Sequence, residues 1–219
     1  MKSLALQLFE DGLEDINQHL MVADHIKRYT TPVISCAYEN FLRDAVAKTV
    51  GNIDAYFSKI IFELLMDRQA IYSPNISNKG YIRLSFSLKE VSEIMIDVSG
   101  DPLHNNLALR RILDSKLQAL ALQNHNIPNN LSRLFGVNDF WSLTQKDPLI
   151  DSLAEQRDIH RNYRELTERR NAISHNRDRH MINTTTQSEI SREFVDSGML
   201  TTVIIVNTFE REVVSKYAS

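Results

Sequence analysis

The sequence predicts an all-α fold, and three observations carry that expectation. Glycine and proline are scarce, 6 and 5 among 219 residues, which leaves little room for a turn-rich β architecture. From the start of the chain, Leu6, Phe9, Leu13, Ile16, Leu20 and Ala23 recur at alternating spacings of three and four. Two further segments, about 32–49 and 53–70, keep the same period with wider apolar faces.

The first stripe predicts an amphipathic helix of about six turns, narrow enough for helix–helix packing and ending near Tyr29. Pro32 restricts the residue before it and suits a first helical turn, with Thr31 as cap. The second helix presents Val33, Ile34, Ala37, Tyr38, Phe41, Leu42, Ala45 and Val46, and Gly51 reads as its C-terminal stop. The third carries Tyr56, Phe57, Ile60, Ile61, Leu64 and Leu65, so these two helices are expected to form the buried centre. Residues 73–86 break the pattern with turn formers. Ser87-Leu-Lys-Glu90 then reads as a capping box opening a helix, and another helix spans about 103–123. Residues 124–147 read as short helix and loop, and 73–147 as an insertion or lid. Asp147-Pro148 suits a helix start, with a long charged helix expected from there to about Asn176. Beyond a threonine-rich break, 199–217 is expected as a final helix, although Thr201-Thr-Val-Ile-Ile-Val206 also favours a strand.

The bulk properties narrow the function classes. Hydrophobic content of 42% with 24% charge is that of an ordinary soluble globular chain. The lone Cys36 allows no internal disulfide and reads as a small core residue in a reducing compartment. Met1-Lys-Ser-Leu4 runs into acids rather than an apolar stretch, and no window has the length of a membrane span. A cytoplasmic protein is therefore expected. The net charge of −3 gives no global nucleic-acid signature, but it is unevenly spread. Between Arg157 and His180, seven arginines face four acids, which marks a local basic site or a solvated face of Glu/Arg pairs.

Searches for known chemistry leave one segment. The chain has no phosphate-cradling glycine loop, no paired cysteines and no His-Glu-x-x-His or Gly-x-Ser-x-Gly, and its seven histidines lack metal-ligand spacing. No metal or cofactor is expected. What remains is Glu168-Arg169-Arg170-Asn171-Ala172-Ile173-Ser174-His175. With 16 Arg and 7 His, a bare Arg-x(4–6)-His match arises by chance about 1.5 times in such a chain. The stricter Arg-Asn-x-x-x-His, with 17 Asn, arises about 0.04 times, so the asparagine gives the match its weight.

On a helix, Asn171 and His175 share one face and Arg170 lies about 100° round from Asn171. RNA is cut by its own 2′-hydroxyl when one group takes that proton and another steadies charge on the phosphate. An imidazole, ordinarily titrating near pH 6.5, suits the first task, and the planar donor fork of an arginine suits the second. Residue by residue, blander roles exist: Arg170 paired with Glu165 or Glu168, Asn171 on the surface, and His175 as a cation at a helix end.

Arg170–His175 resembles the signature of the HEPN superfamily, an arginine followed by a polar residue and, after four to six residues, a histidine. Tyr38-Glu-Asn-Phe-Leu-Arg43 resembles a helix of that family, and Leu134-Phe-Gly136 ahead of the motif is similar to its RiboL-PSP-HEPN group. The resemblance covers about 1–70 and 148–217. It implies a HEPN-like antiparallel helical bundle, with core 1–72 and 148–219 and a helical or loop insertion between the third helix and the motif helix. It further implies a metal-independent endoribonuclease with Arg170, Asn171 and His175 as catalytic residues. Arg164, Arg169 and Arg177 are the expected RNA contacts. Such proteins pair through the motif helices, so a homodimer with a composite cleft is implied. The setting implied is a bacterial toxin or phage-defence effector, with an antitoxin or defence-system partner. Some HEPN toxins carry a tyrosine two positions after the histidine. Here Arg177 stands there, so modification at that position is not expected. The alternatives are a non-catalytic helical module binding RNA or protein, or a small DNA-binding regulator, for which no helix-turn-helix spacing is evident.

Overall fold

The computed structural model describes residues 2–29, 32–66, 87–100, 107–119, 124–153, 158–176 and 188–217, and every regular element among them is helical. Four longer helices build the core: α1 (Leu4–Lys27), α2 (Pro32–Met66), α7 (Ile159–Asn176) and α8 (Arg192–Glu212). Between α2 and α7 come α3 (Leu88–Gly100), α4 (Leu107–Ala119), α5 (Ile127–Leu134) and α6 (Phe140–Thr144). Thr31, the expected cap of α2, lies outside the described residues.

Paired contacts give the helix directions. The Ala5 amide of α1 donates to Glu63 of α2 at 3.0 Å, Asn52 donates to the Phe9 carbonyl at 2.9 Å, and Lys27 lies over the Tyr38 ring. Rising numbers on α1 meet falling numbers on α2, so the pair is antiparallel. Glu210 accepts from Ser3 at 2.7 Å and from Tyr56 at 3.1 Å, while Arg192 pairs with Asp24. Helix α8 therefore runs against α1 and along α2. Antiparallel neighbours of this kind bury their apolar stripes with short reach between them.

The expected stripe of α1 is what folds inward: Phe9, Ile16, Leu20 and Ala23 are buried, with Leu6 and Leu13 partly so. The capping box is present at α3, where the Ser87 amide donates to Glu90 at 2.6 Å and the Glu90 amide to the Ser87 hydroxyl at 3.3 Å. At the core centre Tyr56, Phe57, Phe140 and Phe209 meet edge to face, with Phe57–Phe209 centroids 5.3 Å apart.

Three expected boundaries are corrected. Gly51 does not stop a helix, because α2 runs unbroken from Pro32 to Met66. An interior glycine costs roughly 1 kcal/mol, and buried Val46, Val50, Ile53 and Tyr56 on either side of it offset that. Asp147-Pro148 does open a turn, with Asp147 accepting from the Leu149 amide at 3.0 Å, but the turn is a 3₁₀ segment ending at Ser152. Leu153 is extended and buried, and the motif helix starts at Ile159, where Asp158 accepts from the Arg161 amide at 3.0 Å. Helix α8 begins at Arg192 rather than near Met199, capped by Ser191 accepting from the Phe194 amide at 3.1 Å. Its Thr201 and Thr202 are buried and helical, so core packing overrides their strand propensity.

Ile127, Leu131, Phe135, Val137 and Phe140 belong to the same core as α1, α2 and α8, so part of the interval expected as an insertion supplies core. Gly136 (φ 77°) takes the left-handed position after α5, with the Val137 amide closing back on the Ser132 carbonyl at 2.8 Å.

Helices α7 and α8 approach closely at Gly198, where an added Cβ would stand 2.6 Å from Cδ1 of buried Leu166. Gly198→Ala is therefore expected to destabilise the protein by about 1–3 kcal/mol through overpacking, read as a lower urea midpoint.

Candidate functional site

Helix α7 carries the motif, and its inward stripe fixes where each residue points. Ile159, Tyr163 and Leu166 are buried, and Ile173 packs against the core. Arg170 continues that series at helical spacing, four residues after Leu166 and three before Ile173. It is thus a cation in an apolar register, partly buried.

The Arg170 guanidinium donates through Nη1 to Oδ1 of Asn171 at 3.2 Å. Asp54 of α2, which follows buried Ile53 in sequence, lies within reach of the Arg170 charge. Burial lifts the Asp54 carboxyl from its ordinary 3.8 to about 7, against the opposing attraction of Arg170. Burial, then the charge of Asp54, pushes the Tyr163 phenol upward. Asp54 Oδ1 and the Tyr163 hydroxyl are buried without a hydrogen-bond partner among the described residues.

His175 lies one turn beyond Asn171 on the same face and is exposed. Among the described residues no hydrogen bond joins it to Arg170 or Asn171, so the structure joins Arg170 to Asn171, with Asp54 within reach of the Arg170 charge, and leaves the imidazole open to solvent. Of the expected RNA contacts, Arg164 is exposed, 3.9 Å from Glu168, and Arg177 lies outside the described residues. Arg169 is turned to structural work. Its Nη2 donates to the carbonyls of Ser188 and Glu189 at 2.9 and 2.8 Å. Arg43 donates to the same Ser188 carbonyl at 2.8 Å and to Glu39 at 3.1 Å. The segment 38–43 thereby helps fix the chain entering α8 beside the end of α7. The acids Glu165 and Glu168 pair with Arg161 and Arg164 along α7.

Asp54 is the site residue that sequence reasoning missed. The available signal was an acid set among Ile53, Tyr56 and Phe57, matched by an arginine in the apolar register of α7. With burial as the largest influence, a sign follows for stability. The folded protein holds a proton on Asp54 that the unfolded chain releases between pH 3.8 and about 7, so this group lowers stability as pH rises through that window. Asp54→Asn is expected to stabilise the fold by on the order of 3 kcal/mol at pH 8, and the gain shrinks towards pH 4. Urea unfolding at both pH values reads this. A variant less stable than the parent at pH 8 would mean that attraction to Arg170 outweighs burial.

Among the described residues no three His, Cys, Asp or Glu side chains converge as a metal-ligand set, and no helix is long and apolar enough to cross a membrane. Comparison of the chain with protein-family models, with curated proteins and with solved structures finds no match.

Proposed function

We infer that the protein is a metal-independent endoribonuclease of the HEPN type, with Arg170, Asn171 and His175 as its catalytic residues. The observation that carries the reading is Arg170, a guanidinium in the inward register of α7 that donates at 3.2 Å to Asn171, which itself lies one turn before the exposed imidazole of His175. In the reaction, His175 takes the proton of an RNA 2′-hydroxyl and the freed oxygen attacks the adjacent phosphorus. The bond from phosphorus to the 5′-oxygen breaks, and that oxygen takes up a proton. The products carry a 2′,3′-cyclic phosphate and a 5′-hydroxyl. Arg170 steadies the charge that gathers on the phosphate oxygens. A second copy of the chain, paired through α7, supplies a second Arg/His set and completes the cleft. The biological setting we propose is a cytoplasmic toxin or phage-defence effector of bacteria, restrained by an antitoxin or defence-system partner.

A second reading is favoured by a different observation. Among the described residues His175 makes no hydrogen bond to Arg170 or Asn171, so one chain does not assemble the Arg/His pair, as in a helical module that binds RNA or protein without cutting it. Incubation of purified protein with RNA in excess EDTA separates the two. Cleavage that persists in EDTA supports the enzyme, and RNA retained intact on the protein supports the module.

A further inference from the structure

A cleft of about 470 Å³ lies between α2 and α4, lined by Ala55, Ser58, Lys59 and Phe62 on one side and Arg110, Arg111 and Asp114 on the other. It does not include Arg170, but the two share α2, where Ser58 stands one turn beyond Asp54, about 6 Å along the axis. Among its described lining side chains three are cationic and one is a carboxylate, on a chain whose net charge is −3. Lys59 Nζ and Arg110 Cζ lie 5.6 and 5.7 Å from the Phe62 ring centroid, so the aromatic wall and the cations share one space. Arg111 is exposed and pairs with Glu93 at 2.9 Å, which sets a second carboxylate beside the cleft.

These features select a ligand class. The volume falls in the range of small-molecule sites, roughly 300–1,000 Å³. An inorganic anion would leave most of that volume and the ring unused. A wholly apolar ligand would set its surface against three cations. A nucleoside phosphate uses both, with its base beside Phe62 and its phosphate towards Lys59 and Arg111.

We propose that the α2/α4 cleft binds one nucleotide unit of single-stranded RNA next to the Arg170 site. The identity of the strand rests on the ribonuclease reading, whereas the cleft's preference for a nucleoside phosphate rests on its own side chains. The cleft fixes the strand's position relative to Arg170, so it acts in binding rather than in bond breaking.

The test uses the full chain and a short fluorescent RNA carrying 2′-O-methyl groups, which cannot be cleaved by the proposed chemistry, with binding read by anisotropy. Lys59→Gln and Arg111→Gln are each expected to weaken binding about fivefold and to reduce the slope of log affinity against log salt by about 0.7. Phe62→Leu is expected to weaken binding at least about fivefold without changing that slope. Thermal melts confirm folding, and Lys59→Arg is expected to restore the slope. Folded variants that bind with the parent affinity and slope overturn the proposal. Adenosine monophosphate binding that these variants lose, with RNA binding unchanged, overturns the strand assignment and leaves a free-nucleotide site. Because this RNA cannot be cut, a parent protein that binds it but cuts no RNA sinks the ribonuclease reading alone. Intact cleavage with unaltered affinity in the variants sinks the cleft alone.

Discussion

His175→Ala is expected to slow RNA cleavage by a factor of roughly 10²–10⁴, the usual contribution of a positioned general base. The imidazole is exposed, so its removal opens no cavity, and the variant should melt with the parent. Arg170→Ala is expected to cost about 10²–10³ in rate, the size of a lost donor to developing negative charge. Its effect on stability differs, because it withdraws the cation that opposes the burial of Asp54. Arg170→Lys should recover little, since one ammonium does not reproduce a planar fork that donates to Asn171 while facing a phosphate. Single-turnover rates on a defined RNA, with melts for each variant, read both quantities. Equal rates in parent and His175→Ala would remove the imidazole from the chemistry, whatever the fate of Arg170.

Phe209→Ala carries the largest expected effect on the fold. Phe209 is fully buried, with ring centroids 5.3 Å from Phe57, 6.2 Å from Phe140 and 6.3 Å from Tyr56. It joins α8 to α2 and α6 at one point, so truncation loses aromatic contacts on three sides and leaves a cavity that cannot easily collapse. A cost of about 3–5 kcal/mol is expected, a large share of the 5–15 kcal/mol typical of a folded domain. The matched control is Leu8→Ala on α1. Leu8 is 52% exposed, and its truncation should stay within about 0.5 kcal/mol. Urea unfolding distinguishes the two. A Phe209→Ala cost below about 1 kcal/mol would contradict a core centred on these rings.

The helical class and the α1 stripe were legible in the sequence because apolar spacing is set by which face is buried, a property local to each helix. The Ser87–Glu90 capping box was legible for the same reason, being a contact within four residues. Boundaries were less so. Gly51 reads as a stop when only its own propensity is weighed, but the packing of residues on both sides of it decides the matter. The segment from Asp147 to Asn176 reads as one helix because Leu149, Ile150 and Leu153 keep helical spacing into the motif. The structure instead closes a 3₁₀ turn, extends Leu153 into the core and restarts at Asp158.

The motif itself was visible as a pattern of residue types, whereas its surroundings were not. Asp54 is separated from Arg170 by more than a hundred positions, and nothing local to α2 says which helix will face it. Arg169 reads in the sequence as one more RNA-contacting cation of a basic window. Its role depends on the carbonyls of Ser188 and Glu189, which only the return of the chain into α8 brings near.

The most direct test of the account is the chemistry of the cut ends. RNA incubated with the protein in excess EDTA and analysed by mass spectrometry is expected to yield 2′,3′-cyclic phosphate and 5′-hydroxyl termini, and His175→Ala is expected to yield none above background. Products with 5′-phosphate ends, or identical products from the His175→Ala variant, would contradict a 2′-hydroxyl attack driven from the Arg170–His175 site.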